Sequence, residues 1–244
     1  QKVKITQKFY GCNDSTKSSL IPAIISSNEA KSTLIFCNMK IKCEEVADEL
    51  DALGLDVLTL HSDLDQKDRD QIITLFSNKS YPILIATDVA SRGLHIDDID
   101  LVINYDLARD EKVHTHRIGR TARAGKGGVA VSLYNENDED KVDDIKEFFD
   151  DIIFDEIENI KDNPEFKIDS DYRTLFINGG KKQKLRAGDI LGALTAGIGL
   201  PKDSIGKITS MNFCSYVAVE KQYIKKALDG LSNNKIKGKY FRVF

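Results

Sequence analysis

The stretch HTHRIGRTARAG, His114–Gly125, sets Arg117, Arg120 and Arg123 at three-residue steps, behind His116 and around Gly119. Three residues is close to one helical turn, so this spacing predicts a shared face of guanidinium groups. Such a face needs an anion opposite it: a carboxylate wall, a phosphate chain or a nucleic acid. A surface salt-bridge cluster with acidic helices is the structural alternative. Other residues suited to chemistry sit where strand-like runs end. Thr87 closes ILIAT and can offer its hydroxyl and backbone N–H to a phosphate. Asn38 closes LIFCN, and Gln66 and Arg69 stand three apart near the start of a helical pattern. The same positions also suit local structure, Asn38 as a turn former and Asp88 as a helix N-cap.

Those residues need a scaffold, and the chain of 244 residues is long enough for one large domain or two modest ones. Apolar runs of strand length recur at 34–37, 56–61, 83–87, 101–105 and 129–134. Between several of them lie amphipathic helical patterns, such as KIKCEEVADELDALG, which stops at Gly54. Alternation of this kind predicts a parallel sheet with crossover helices, whose ligand contacts gather at the carboxyl ends of the strands. Residues 135–165 hold 14 acidic and 3 basic residues, with Val142, Ile145, Phe148, Phe149 and Ile152 at helical spacing. This reads as a closing helix with a solvated acidic face. Residues 159–171 read as a linker, between a first domain over 1–158 and a second over 172–244. The second reads β-α-β-β-α-β, a ferredoxin-like pattern shared by RNA-recognition motifs and many unrelated functions.

Charge separates the two parts. Residues 169–244 carry 14 Lys and Arg against 6 Asp and Glu, while the rest carries 21 against 33. The basic part is the one expected to meet polyanions. The four cysteines, Cys12, Cys37, Cys43 and Cys214, form no CxxC pair, which predicts reduced thiols, no zinc site and a cytoplasmic protein. No apolar run approaches the roughly 18 residues of a membrane span, so no membrane partner is expected.

The motifs LIFCN, LHSDLDQKDRD, ILIATDVASRGLHI and HTHRIGRTAR, in that order, resemble the second RecA-like domain of DEAD-box ATP-dependent RNA helicases over residues 1 to about 155. TLFINGGKKQKLRAGDILGAL, IGKI, SYVAV and KIKGK resemble the RNA-binding tail of the DbpA group, helicases linked to large-subunit ribosomal RNA. The resemblance implies a RecA-like parallel sheet with flanking helices, followed by a smaller α+β domain like an RNA-recognition motif. It makes Arg120 and Arg123 arginine fingers toward an ATP held mainly by the missing N-terminal RecA-like domain. His116 would link the nucleotide and RNA sites, and Gly93, His95 and Gly119 would meet the nucleotide. Asn38, Gln66, Arg69, Thr87 and Arg92 would grip the RNA backbone.

Three residues depart from the family pattern. His95 stands where Asp usually contacts the ribose, and Ser62 and Ala122 replace glycines. In the tail, Lys181, Lys182, Lys184 and Arg186 follow GlyGly and are expected to meet phosphates from a mobile loop, with Lys235, Lys237 and Lys239 adding to them. Phe176 and Tyr216 occupy the two central sheet positions that RNA-recognition sheets use for base stacking. The chain contains neither a GxxxxGK[ST] loop nor a D-E-A-D tetrapeptide. The expectation is therefore the C-terminal half of an enzyme. ATP and Mg²⁺ belong to the full-length protein, no cofactor is bound by this half alone, and alone it neither hydrolyses ATP nor unwinds RNA. The expected partners are large-subunit ribosomal RNA and the missing domain. Two other readings compete: a non-catalytic RNA-binding adaptor with a RecA-like scaffold, and a RecA-type translocase on DNA.

Overall fold

The computed structural model describes residues 4–122 and 127–244. They divide into two compact units, residues 1–72 with 82–169 and residues 73–81 with 170–244.

Three strands form the middle of the first unit: β2 (Thr33–Phe36), β4 (Ile83–Ala86) and β5 (Leu101–Asn104), every residue of them buried. A strand covered on both faces has no place for the polar alternation of a half-exposed one, so TLIF, ILIA and LVIN are almost wholly apolar. With β1 (Ile5–Gly11), β3 (Val57–Leu60), β6 (Gly128–Tyr134) and β7 (Ile152–Asp155) they make a seven-stranded sheet in the order β3-β4-β2-β5-β6-β1-β7. All six pairings are parallel. Helices α1 (Lys17–Ser27), α2 (Lys40–Ala52), α3 (Gln66–Ser77), α4 (Asp88–Ser91), α5 (Glu111–Ile118) and α6 (Glu139–Lys146) make the crossovers and flanks. The chain runs outward from β2 to β3, returns through β4, then crosses to β5 on the other side of β2. Such a reversal opens a crevice at the carboxyl ends of the strands. No described helix is long and apolar enough to cross a membrane.

Two expectations fail here. Residues 135–165 do not form one closing helix, because α6 stops at Lys146 and Ile152 belongs to an edge strand beside β1. Phe9 packs with Val142 and Ile145 and meets the Phe154 ring at 5.4 Å, so Phe149, Ile152 and Phe154 are drawn to the sheet. The arginines do not share a helical face either. α5 ends at Ile118, Gly119 caps it, and Arg120 lies beyond the last turn.

β1 was not among the strand-like runs because Gln7 and Lys8 interrupt its apolar pattern. Gln7 is nevertheless buried between neighbouring strands, and its Oε1 lies 2.8 Å from His114 Nε2. The imidazole therefore carries its proton on Nε2, while Nδ1 is buried without a partner. Burial first, then the nearby Arg117 charge, hold the His114 pKa down to about 4. Between pH 6.5 and 4 the unfolded chain takes up a proton that the folded one refuses, so folding weakens as pH falls through that window. The first unit should lose about 3 kcal/mol there, measurable as a falling urea midpoint that His114→Gln flattens. The N-capping Asp110, whose pKa is lowered by the backbone N–H of Val113, loses its contribution at lower pH, below the usual carboxylate value, so the two effects separate.

The second unit contains β8 (Tyr172–Ile177), α7 (Ala187–Gly192), β9 (Ile205–Ser210), β10 (Ser215–Glu220) and α8 (Ile224–Asn233). Its sheet is antiparallel in the order β8-β10-β9. The expected last strand, KYFRVF, is reduced to a bridge beside β8 through Phe176, Asn178 and Val243. Its place gives the ferredoxin-like order even so. Leu175, Ile177, Val217 and Val219 form one face of the sheet and bury Leu194, Ala227 and Leu231 of the helices.

Candidate functional site

Arg117 organises the crevice of the first unit. Its side chain is 1% exposed, and every guanidinium N–H is engaged. Nε and Nη2 donate to the two oxygens of Asp88, each at 2.7 Å. Nη2 also donates to Asn38 Oδ1 at 2.7 Å, and Nη1 to the Asp106 carbonyl at 2.7 Å and to Asn104 Oδ1 at 3.4 Å. The guanidinium carbon lies 5.1 Å above the Phe36 ring. One side chain thus joins the carboxyl ends of β2, β4 and β5, and has no donor left for a ligand.

Arg120 stands at the rim. Its backbone carbonyl accepts from Ile99 N–H, and Thr121 Oγ1 donates to the Ile99 carbonyl at 2.6 Å, which fixes the segment after α5. Both side-chain bonds use Nη1, to the Leu94 carbonyl at 2.8 Å and Asp97 Oδ1 at 3.3 Å. Among the described residues Nε and Nη2 make none. Arg92, Gly93, His116 and Arg120 line a cavity of about 320 Å³ above Asp88. An adjoining hollow of about 230 Å³ is lined by Asn38, Thr87, Arg92 and Arg109. Asp88 is already neutralised by Arg117, so these walls present net positive charge. Arg123 lies outside the described residues.

The other predicted contacts divide. Thr87 is itself the N-cap of α4, its Oγ1 accepting from Ala90 N–H at 3.4 Å, and its own N–H donates to the Leu60 carbonyl. It therefore cannot offer that N–H to a phosphate as expected, and Asp88 is not the cap. Arg69 does not stand free beside Gln66: its Nη2 donates to the Ala90 carbonyl at 3.0 Å and its Nε is buried. It anchors α3 to α4, whereas the Gln66 amide remains at the surface on Asp70. Asn38 is exposed, but its amide spans Arg117 and the Leu107 carbonyl. His95 is exposed on the 94–99 loop and is not part of the cavity wall.

Gly93, at φ +75°, requires glycine for its backbone, with open space where a Cβ would stand. Gly119 has φ −60°, an ordinary helical value, so its turn does not call for glycine. Neither Ser62 nor Ala122 has a positive φ, so neither departure strains the chain.

In the second unit the basic residues converge. Lys181, Lys182, Lys184 and Arg186 are exposed on a loop that is pinned where a mobile one was expected. Lys181 and Lys182 N–H groups donate to the Met211 and Asn212 carbonyls, and Gly180 accepts no Cβ because Met211 O and Cys214 N crowd it. Lys237 and Gly238, at φ +51° and +79°, form the turn that exposes Lys235 and Lys239. Lys237 Nζ donates to the Lys184 carbonyl at 3.1 Å, joining two segments 53 residues apart, and lies 3.5 Å from Asp189.

The stacking expectation fails for Tyr216, which is 3% exposed and edge-on to Phe176. Its sheet face is covered, with Asn78 and Ser80 bonded to Thr174 on that side. Phe176 is half-buried between Tyr216 and Phe244. Exposed aromatics that sequence reasoning did not single out include Tyr240, 65% exposed beneath Lys235, and Phe213, 65% exposed at the hairpin tip next to the Lys182 loop. The only sequence signal for Phe213 was its position in a polar turn after Met211 and Asn212.

The first unit, with its parallel sheet and its crevice at the carboxyl ends, is a helicase C-terminal domain. The family model described as helicase conserved C-terminal domain matches residues 16–125, and that of the DbpA RNA binding domain matches residues 174–244. The chain belongs to the DEAD-box RNA helicases, in the DbpA group. It is 42% identical to the ATP-dependent RNA helicase DbpA of Escherichia coli K12 and 34% identical to that of Bacillus subtilis 168. These alignments cover 98% and 94% of this chain but 52% of each relative, so the chain spans about half their length. Among solved structures, the E. coli DEAD-box protein SrmB bound to regulator of ribonuclease activity A superposes with a TM-score of 0.60 at 27% identity, covering 68% of this chain and 98% of that one. A DEAD box protein from Methanococcus jannaschii gives 0.57 at 35% identity, over 63% and 42%.

Proposed function

We propose that this chain is the half of an ATP-dependent RNA helicase that completes the ATPase site, and that its basic unit targets the motor to structured large-subunit ribosomal RNA. The observation that carries the first part is the division of labour between two arginines. Arg117 is consumed by the scaffold, whereas Arg120 is held at the cavity rim through one nitrogen, with donors remaining for a phosphate oxygen. A nucleoside triphosphate suits this wall: Arg120 and Arg92 supply positive charge, His116 an imidazole N–H, and Gly93 bare backbone. Gly119 and His95 would meet the nucleotide from the rim.

ATP supplies the transferable phosphoryl group, and fixed guanidinium donors stabilise the charge that spreads over it as the bond breaks. Arg123 would be the second such donor. His116, exposed beside Arg120, would couple the nucleotide to the RNA hollow lined by Asn38, Thr87 and Arg92. With neither a GxxxxGK[ST] loop nor a D-E-A-D tetrapeptide in its sequence, this half would rely on the N-terminal RecA-like domain for the Mg²⁺ ligands. This chain alone would then give no RNA-stimulated turnover. A scaffold-only adaptor would have no use for Arg120 at that rim. The cytoplasm, where free thiols persist, is the compartment this reading implies.

The RNA interface of the tail is the basic surface around Lys181, Lys182, Lys184, Arg186, Lys235 and Lys239, with Phe213 as its stacking platform. Binding of the whole chain to a large-subunit ribosomal RNA hairpin and to a scrambled RNA, at low and high salt, tests it. Lys181→Glu with Lys182→Glu should weaken hairpin binding roughly tenfold or more and lower the salt slope by about 2. Phe213→Ala should cost about 1–3 kcal/mol on the hairpin. Equal and equally salt-sensitive binding to both RNAs would reduce the unit to a basic tether.

A further inference from the structure

The outer edge of the parallel sheet is a surface that nucleotide and RNA leave unused. β7 bonds to β1 alone, so among the described residues no strand pairs with its other side. Unpaired N–H and C=O groups in a row are a template for one more strand. Two kinds of side chain frame that edge. Ile153 is 47% and Phe154 41% exposed, on opposite faces, and Phe148 before them is 60% exposed. Phe154 is held in place rather than loose, with its ring 6.3 Å from Tyr134 and Lys146 Nζ 4.7 Å above it.

Beyond Lys146 above Phe154 and Lys8 beside Asp155, the charge around these apolar groups is negative. Residues 147–158 carry Glu147, Asp150, Asp151, Asp155, Glu156 and Glu158, and no Lys or Arg. All but Asp155 are exposed, and among the described residues none of those exposed five is in an ion pair. A second copy of this edge would set carboxylates against carboxylates, which opposes self-pairing, and RNA is repelled on the same ground. A cationic polypeptide meets the opposite situation.

We infer that β7 is a docking edge for an extended, Lys/Arg-rich segment of a partner protein, which adds to the sheet as a further strand. Main-chain hydrogen bonds supply the affinity. A pair of apolar residues in the partner covers Ile153 on one face and Phe154 on the other, and the carboxylates select flanking basic residues.

The probe is a fluorescent lysine-rich peptide with a central Val-Val pair, titrated into the whole chain and read by anisotropy. The comparison peptide has the same sequence with alternate backbone nitrogens methylated, which keeps the charge and removes strand donors. The unmodified peptide should bind roughly tenfold more tightly than the methylated one and slow hydrogen exchange at 152–155. Asp150→Lys with Asp151→Lys, both at exposed positions, should weaken it roughly tenfold. Equal binding of the two peptides would mean charge attraction without strand addition and would overturn the inference. Absence of binding, or protection appearing elsewhere, would overturn it as well.

Discussion

Arg120→Ala, made in a protein that also carries the N-terminal RecA-like domain, is expected to lower RNA-stimulated kcat for ATP by about 10³-fold or more. The size follows from where the side chain sits. Arg120 contributes little to folding, because it is at the rim, partly exposed, and bonded to one carbonyl and to the largely exposed Asp97. Its loss therefore leaves the scaffold intact and removes a fixed donor aimed at a cavity. Such donors act where charge develops, so the deficit should appear in kcat far more than in KM. Arg120→Lys should recover little, since one ammonium cannot reach both the Leu94 carbonyl and a phosphate oxygen as a guanidinium fork can. Hairpin RNA binding through the tail should be unchanged, because Lys181 and its neighbours belong to the other unit. A variant that turns over ATP at the parental rate would remove the finger assignment.

Arg117→Ala should have the opposite signature, a loss of folding of about 3–5 kcal/mol in the first unit. Deleting this side chain leaves the Asp88 carboxylate, Asn38 Oδ1 and the Asp106 carbonyl without their donor, and opens space beneath Phe36. Removing one member of a buried pair costs more than removing both, because the survivor is left charged and unpaired. Asp88→Asn in the Arg117→Ala background should therefore recover part of the loss, and a double-mutant cycle by urea unfolding measures the coupling. Additive effects of the two substitutions would show that the bidentate contact does not carry the stability assigned to it. The pair of variants separates two arginines that stand three residues apart: one is read by turnover, the other by unfolding.

Much of this protein was determined by the order of residues alone. Strands covered on both faces must be continuous apolar runs, so TLIF, ILIA and LVIN announce a parallel sheet wherever they occur. The carboxyl ends of those runs mark the crevice, and the ordered motifs around Asn38, Thr87 and Arg120 mark the family. The charge division between the two parts is likewise a property of composition.

Tertiary structure decided what each residue is free to do. Spacing treated Arg117, Arg120 and Arg123 as equivalents, but α5 ends at Ile118, so one step carries the chain from the buried face to the rim. Thr87 and Arg69 are ligand-binding residues by type, yet the Thr87 N–H is spent on the Leu60 carbonyl, its hydroxyl accepts from Ala90 N–H, and Arg69 Nη2 is spent on the Ala90 carbonyl. β1 stayed hidden because the partner that makes Gln7 tolerable inside a sheet, His114, is 107 residues away. Tyr216 stands at a stacking position in the pattern and is buried in fact, while Phe213 in an unremarked turn is exposed. The physical reason is the same in each case. Type and spacing are local, whereas the free donors and open faces that make a site are what remains after distant contacts have been made.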